Sequence, residues 1–312
     1  MSTIRKKRLR LKKKNFTIFI LSICLIIFII TKTTQTITNF INKSKEKETK
    51  EEIPKDKPKK EETEQEKKLK QLENIDKTLN YFKYDYIDRY ISYKEKNKNL
   101  RIDEIIMHVN IGLDNEYYTN TQEASKLNEY NILVNKYNFL KDTYVPENLE
   151  NVNLQYARKD MKLVNYAKDA YEKMAQAAKK EGYHLIITSA YRSYNYQEQL
   201  YNGYVKLDGQ DNADTYSARA GFSEHQTGLA VDLYNGKTSY TKFEETKEFT
   251  WMKENAHKYG FILRYPKDKE YITGYTYESW HYRYVGEEIA NYIKENNITY
   301  EEYYIKFIEN KN

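Results

Sequence analysis

The sequence predicts an α+β domain built on a small, largely antiparallel sheet with flanking helices. Two features point there. Short apolar runs such as "YHLIITSAYRS", "TGLAVDLY" and "YESWHYRYV" are mixed, without strict alternation, with longer segments whose apolar residues recur every three or four positions. No internal repeat is visible, and 312 residues suffice for one well-packed domain plus appendages.

The elements follow in chain order. The first fifteen residues carry eight Lys/Arg and no acid, and residues 16–31 carry no charge at all. This pairing has the form of the basic and apolar regions of an export signal. No small-residue cleavage site follows in "TKTTQTIT", and Cys24 is preceded by Ile23 where a lipoprotein signal would place a small residue. An uncleaved, single-pass membrane anchor is therefore expected at 16–31, with the basic segment 1–15 cytoplasmic and the rest of the chain outside the cytoplasm. Residues 32–71 mix both charge signs, hold few apolar groups beyond residue 42, and include Pro54 and Pro58, so they are expected to be a disordered linker. The folded domain is expected over 72–312.

Within that domain, residues 158–181 place Leu163, Tyr166, Ala170, Met174 and Ala177 on one helical face, with Gly182 as a C-terminal cap. "YHLIITSAYRS" reads as a strand entering a polar loop, "YQEQLYNGYVKL" as a helix and "TGLAVDLY" as a second strand. A helix near 246–259, capped by Gly260, leads to the strands "FILRY" and "YESWHYRYV" and then to a terminal helical pair.

Composition excludes several functions. Removing the eight terminal cations leaves 44 basic against 46 acidic residues, so the folded body has no positive excess with which to bind nucleic acid. A single cysteine, Cys24, rules out a disulfide framework or a cysteine zinc site. The 33 tyrosines occur along the whole body of the chain and read as a compositional bias.

The chemistry is concentrated in "SEHQTGLAVDL" and "YESWHYRYVG". Gly228 lets the chain turn, after which Ala230 and Asp232 face one side of a strand while Leu229, Val231 and Leu233 face the other. Either His225 or Asp232 alone would pass as an ordinary hydrogen-bonded residue, but together with Ser223 and Gly228 they form a pattern that chance supplies rarely. His225, Asp232 and His281 make a two-histidine, one-carboxylate set that suits one catalytic zinc per chain with its fourth position open. Glu278 is the candidate general base. Strict strand alternation would put Glu278 and His281 on opposite faces, so this assignment requires a bend at Ser279 and Trp280.

Those two segments resemble the paired motifs of the VanY-type D-alanyl-D-alanine carboxypeptidases, zinc peptidases of peptidoglycan whose group includes L,D-carboxypeptidases. The likeness extends through "VNIGLD", "YVPENL", "SAYRSYNYQEQLYN", "DTYSARAGFSEH" and "HKYGFILRYPKDKEYITGY", and so covers roughly residues 76–295. The resemblance implies the same zinc ligands, His225, Asp232 and His281, and Glu278 as catalytic base. It further implies Arg192 as a cation facing the scissile carbonyl or the substrate carboxylate, with Gln197 and Ser223 as substrate contacts. Family members often have Pro where Ser279 stands and His where Phe222 stands.

The function so implied is removal of the terminal D-alanine from peptidoglycan stem peptides, with the membrane as a second partner through the N-terminal segment. L,D-carboxypeptidase action on tetrapeptides uses the same motifs. A non-catalytic wall-binding or signalling module with structural zinc is the alternative of another class, and Glu278 and Arg192 argue against it because a structural site needs neither a base nor an oxyanion cation.

Overall fold

The structure, a computed structural model, describes residues 63–72 and 79–309. The basic segment, the expected anchor at 16–31 and the linker as far as residue 62 lie outside the described residues. Among the described residues no helix is long and apolar enough to cross a membrane.

In chain order the described residues form α1 (Glu64–Gln71), α2 (Ile87–Lys96), α3 (Ile102–Ile111), β1 (Gln122–Glu123), β2 (Asn138–Phe139), β3 (Leu149–Asn151), β4 (Lys162–Val164), α4 (Asn165–Lys180), β5 (Ile186–Ser189), α5 (Tyr194–Asp208), α6 (Gln210–Tyr216), β6 (Ala230–Tyr234), α7 (Lys247–Asn255), β7 (Phe261–Leu263), α8 (Glu270–Thr273), β8 (His281–Tyr284), α9 (Glu287–Asn296) and α10 (Tyr300–Phe307). The central sheet has the order β5-β6-β8-β7 and every neighbouring pair is antiparallel. The expected α+β class, with a small antiparallel sheet, is what the structure shows.

One buried cluster packs Val231 and Leu233 of β6, and Leu229 just before it, with Ala167 and Tyr171 of α4 and Trp251 of α7. A second joins α2 and α3 to the terminal pair α9 and α10 through Tyr90, Ile106, Ile289 and Tyr304. The strand face carrying Ala230 and Asp232 is thereby left for other use.

Two sequence expectations need correction. The end of the supposed linker, Glu64–Gln71, is helical: Thr63 Oγ1 accepts from the backbone N–H of Glu66 at 3.2 Å, and Leu72 is fully buried in the second cluster. A tertiary partner thus stabilises a short helix too polar to form alone. The helix expected over 158–181 begins only at Asn165, because Leu163 pairs with Glu150 across β3 and β4. Its buried stripe is Ala167, Tyr171, Met174 and Ala178, while Tyr166, Ala170 and Ala177 are only partly buried. Tyr171 packs against Phe261 at 6.2 Å, which turns its stripe, rather than the expected one, toward the sheet.

Candidate active site

His225 lies in a single helical turn, Glu224–Thr227, that Gly228 closes at φ +68° before β6 begins. A side chain at position 228 would also have no room, since a Cβ there would meet Leu149 Cδ2 at 2.9 Å and Val164 Cγ2 at 3.0 Å. Asp232 follows on β6, and its register partner on β8 is His281. Glu278 precedes β8 in a turn where the His281 N–H donates to the Glu278 carbonyl at 3.3 Å. That turn, at Ser279 and Trp280, is the bend that placing Glu278 beside His281 requires.

One ligand atom each from His225, Asp232 and His281 lies within 4.8 Å of the others, and this is the group among the described residues able to hold a metal ion. His225 Nε2 is 3.3 Å from Asp232 Oδ2, and His281 Nδ1 is 3.2 Å from Asp232 Oδ1. Glu278 Oε2 stands 3.6 Å from the same His281 nitrogen. His225 Nδ1 is 2.7 Å from the Ala190 carbonyl, which only accepts, so that nitrogen carries the proton and Nε2 turns its lone pair inward.

The electrostatics suit a cation. Burial, reinforced by Arg192, pushes His225 down to about 4, leaving a neutral imidazole. Burial alone would raise the Asp232 carboxyl, but the two imidazoles and Arg192 outweigh it and hold the group well below the usual carboxylate range. Glu278 is pushed up to about 8 by burial, with Asp232 adding to the effect. Burial works against a proton on His281, yet Asp232 and Glu224 overcome it and raise the group to about 9. Asp232 Oδ1 is buried without any hydrogen-bond partner. A buried carboxylate oxygen left unpaired beside two imidazole nitrogens fits a divalent metal ion.

The other expected residues gather here too. Arg192, in the loop after β5, donates through Nη2 to Asp232 Oδ2 at 2.7 Å, through Nε to Ser189 Oγ at 2.9 Å and through Nη1 to Gln197 Oε1 at 3.1 Å. Gln197 is almost fully buried and also donates to the Ala218 carbonyl at 2.7 Å, so it braces Arg192 within the wall. Ser223 is buried at the cleft lining beside His225. The cleft measures about 820 Å³, and Tyr240 and Trp280 stand edge to face at its rim with centroids 5.3 Å apart.

Several supporting residues escaped the sequence reading. Glu224 is buried behind His281, where Arg264 and Arg283 each donate to its Oε1 at 2.8 Å. The Tyr265 ring packs on His281 at 4.8 Å and Tyr275 packs on Tyr265 at 4.9 Å. Under Tyr275 lies the buried Lys136, its ammonium 4.0 Å from the ring centroid and donating to the Asp214 carbonyl at 2.5 Å. The available signal was a charged residue inside an apolar strand, as with Arg264 in "FILRY" and Arg283 in "HYRYV".

The chain is similar to known proteins over the segment that carries this site. A family model described as VanY, D-alanyl-D-alanine carboxypeptidase, matches residues 160–287, a span that contains Arg192, His225, Asp232, Glu278 and His281. YodJ of Bacillus subtilis (strain 168) is 41% identical over 213 residues, covering 62% of this chain and 76% of that protein. A D-alanyl-D-alanine carboxypeptidase of Enterococcus faecium is 36% identical over 206 residues, covering 64% of this chain and 59% of that protein. The solved structure of the LdcB LD-carboxypeptidase aligns with a TM-score of 0.57 at 40% identity, covering 60% of this chain and 91% of that chain. With that overlap in sequence, in fold and in the segment bearing the site, the chain belongs to the VanY-type D-alanyl-D-alanine carboxypeptidase family and is a peptidase.

Proposed function

We propose that this protein is a zinc-dependent carboxypeptidase that removes the C-terminal D-alanine from peptidoglycan stem peptides, working outside the cytoplasm while tethered through residues 16–31. The observation that carries the reading is the convergence of His225, Asp232 and His281 within 4.8 Å at the wall of a cleft that also holds Glu278. Family membership supports the substrate class.

The donor set of two imidazoles and one carboxylate fits zinc with an open position. When bound, zinc would supply Lewis-acid polarisation of the scissile carbonyl and lower the pKa of a water to about 7. Glu278, its Oε2 3.6 Å from His281 Nδ1 beside the ligand set, accepts the proton of the attacking water and returns it to the departing amine. Arg192, held by Gln197 and Ser189, presents a guanidinium to the terminal carboxylate of the peptide or to the charge growing on its carbonyl oxygen. Gln197 thus serves mainly to hold Arg192, and Ser223 offers a polar contact at the cleft wall.

Similarity to the LdcB LD-carboxypeptidase supports a second reading with the same chemistry, cleavage of the L,D bond in tetrapeptides. Incubating the protein with defined penta- and tetrapeptides, with and without zinc, and weighing the products tests both. Release of D-alanine from the pentapeptide alone supports D,D action, release from the tetrapeptide alone supports L,D action, and no release from either with zinc present overturns the proposal.

A further inference from the structure

Behind His281 lies a group of four buried charged residues whose arrangement is directional. Arg264 and Arg283 both donate to the same oxygen of Glu224, Oε1, at 2.8 Å. The other oxygen, Oε2, is buried with no hydrogen-bond partner and lies 3.5 Å from His281 Nε2, itself buried without one. Two unpaired polar atoms of complementary character face each other across slightly more than hydrogen-bond length, and each costs free energy until the other approaches. Arg264 also donates twice to Glu301 of α10, through Nη2 to Oε1 at 2.6 Å and through Nη1 to Oε2 at 2.9 Å. Arg283 spends its remaining Nη2 on the Ile132 carbonyl at 2.7 Å. The side chains of Glu224, Arg264, Glu301 and Arg283 are at most 1% exposed and their formal charges cancel. Such a balanced network has few alternative arrangements, because removing any member leaves an uncompensated buried charge.

We propose that Glu224 is a positioning residue that fixes the His281 ring through an Nε2–H···Oε2 hydrogen bond, turning Nδ1 toward Asp232 and the metal, and that Glu301 of the terminal helix holds Glu224 in place through Arg264. The inference rests on the zinc reading of the site. It also extends the working site to α10, which lies beyond the 160–287 segment that matches the family model. A bidentate carboxylate–arginine pair is the geometry that transmits orientation rather than mere charge, which is why both guanidinium ends of Arg264 matter.

The test uses the full chain and its Glu224→Gln, Glu301→Gln and doubly substituted forms, each first checked for native circular dichroism without metal. Zinc affinity is measured by competition with a chelator, and the His281 ring N–H is observed by ¹H–¹⁵N NMR in metal-free protein. Glu224→Gln is expected to lose about 10- to 100-fold in zinc affinity. Glu301→Gln is expected to lose less, and the double variant less than the product of the two. The metal-free wild type should show a downfield, slowly exchanging Nε2–H signal that Glu224→Gln shifts upfield. Folded variants with wild-type zinc affinity and an unmoved ring proton would overturn the proposal, and strictly independent effects of the two substitutions would overturn the link to α10. A wild type that takes up no zinc would defeat the zinc reading, while the ring proton would still decide whether Glu224 positions His281.

Discussion

Asp232 and His281 are direct register partners on adjacent antiparallel strands, with Asp232 Oδ1 3.2 Å from His281 Nδ1. Opposed residues of such a pair project from the same face, so the backbone ladder itself sets their separation. Ser189 pairs with Asp232 from the other side and accepts a hydrogen bond from Arg192. Much of the site is therefore built on the hydrogen-bonded ladder of the central sheet.

The three candidate ligands should lose metal individually. His225→Ala, Asp232→Ala and His281→Ala are each expected to bind less than a tenth of the zinc held by wild type, measured by elemental analysis after dialysis, roughly the loss expected when a core ligand is removed. A chelator should abolish turnover and added zinc restore it. Full zinc content in the three variants would end the assignment.

Glu278→Gln keeps the shape of the side chain and removes the basic oxygen. Turnover is expected to fall by about 10² to 10⁴, the usual effect of losing a general base, with zinc content unchanged and substrate affinity within a few-fold. Loss of metal in this variant would recast Glu278 as a ligand or as support for one.

Lys136 should make stability depend on pH. Burial pushes its pKa down to about 7, with the nearby Asp214 carboxylate opposing the shift, against 10.5 for the free side chain. Between those values the unfolded chain binds the additional proton, so this group's contribution to stability rises with pH and is most unfavourable below the folded value. The melting temperature of Lys136→Met minus that of wild type should thus be larger at about pH 6 than at about pH 10. A difference independent of pH would mean that the surrounding tyrosine rings keep the ammonium charged in the folded state throughout this range.

Gly228→Ala is expected to destabilise the fold by about 2 to 4 kcal/mol, combining a left-handed backbone with overpacking against Leu149 and Val164. Because the same turn carries His225, activity should fall more steeply than stability. A denaturation midpoint equal to that of wild type would show that the neighbouring side chains yield easily.

The proposed tether is checked by fractionation. The protein is expected in the membrane fraction with residues 16–31 present in its N-terminal peptides. Recovery from the medium with an N-terminus beyond about residue 35 would mark the segment as a cleaved signal.

By itself the sequence determined the fold class, the strands around Asp232 and His281, the outward face of β6 and the identity of the candidate ligands, because period-two alternation and local turn chemistry are written in neighbouring residues. It also implied a bend at Ser279 and Trp280. Only tertiary structure decided which stripe of α4 is buried, that Glu64–Gln71 is helical rather than linker, and that Gln197 braces Arg192. It alone brought Glu301 of the terminal helix to Arg264 and thence to Glu224 behind His281. Those outcomes depend on contacts between residues far apart in the chain, and a glutamate in a polar stretch, such as Glu301, looks the same in a sequence whether it meets water or a buried partner.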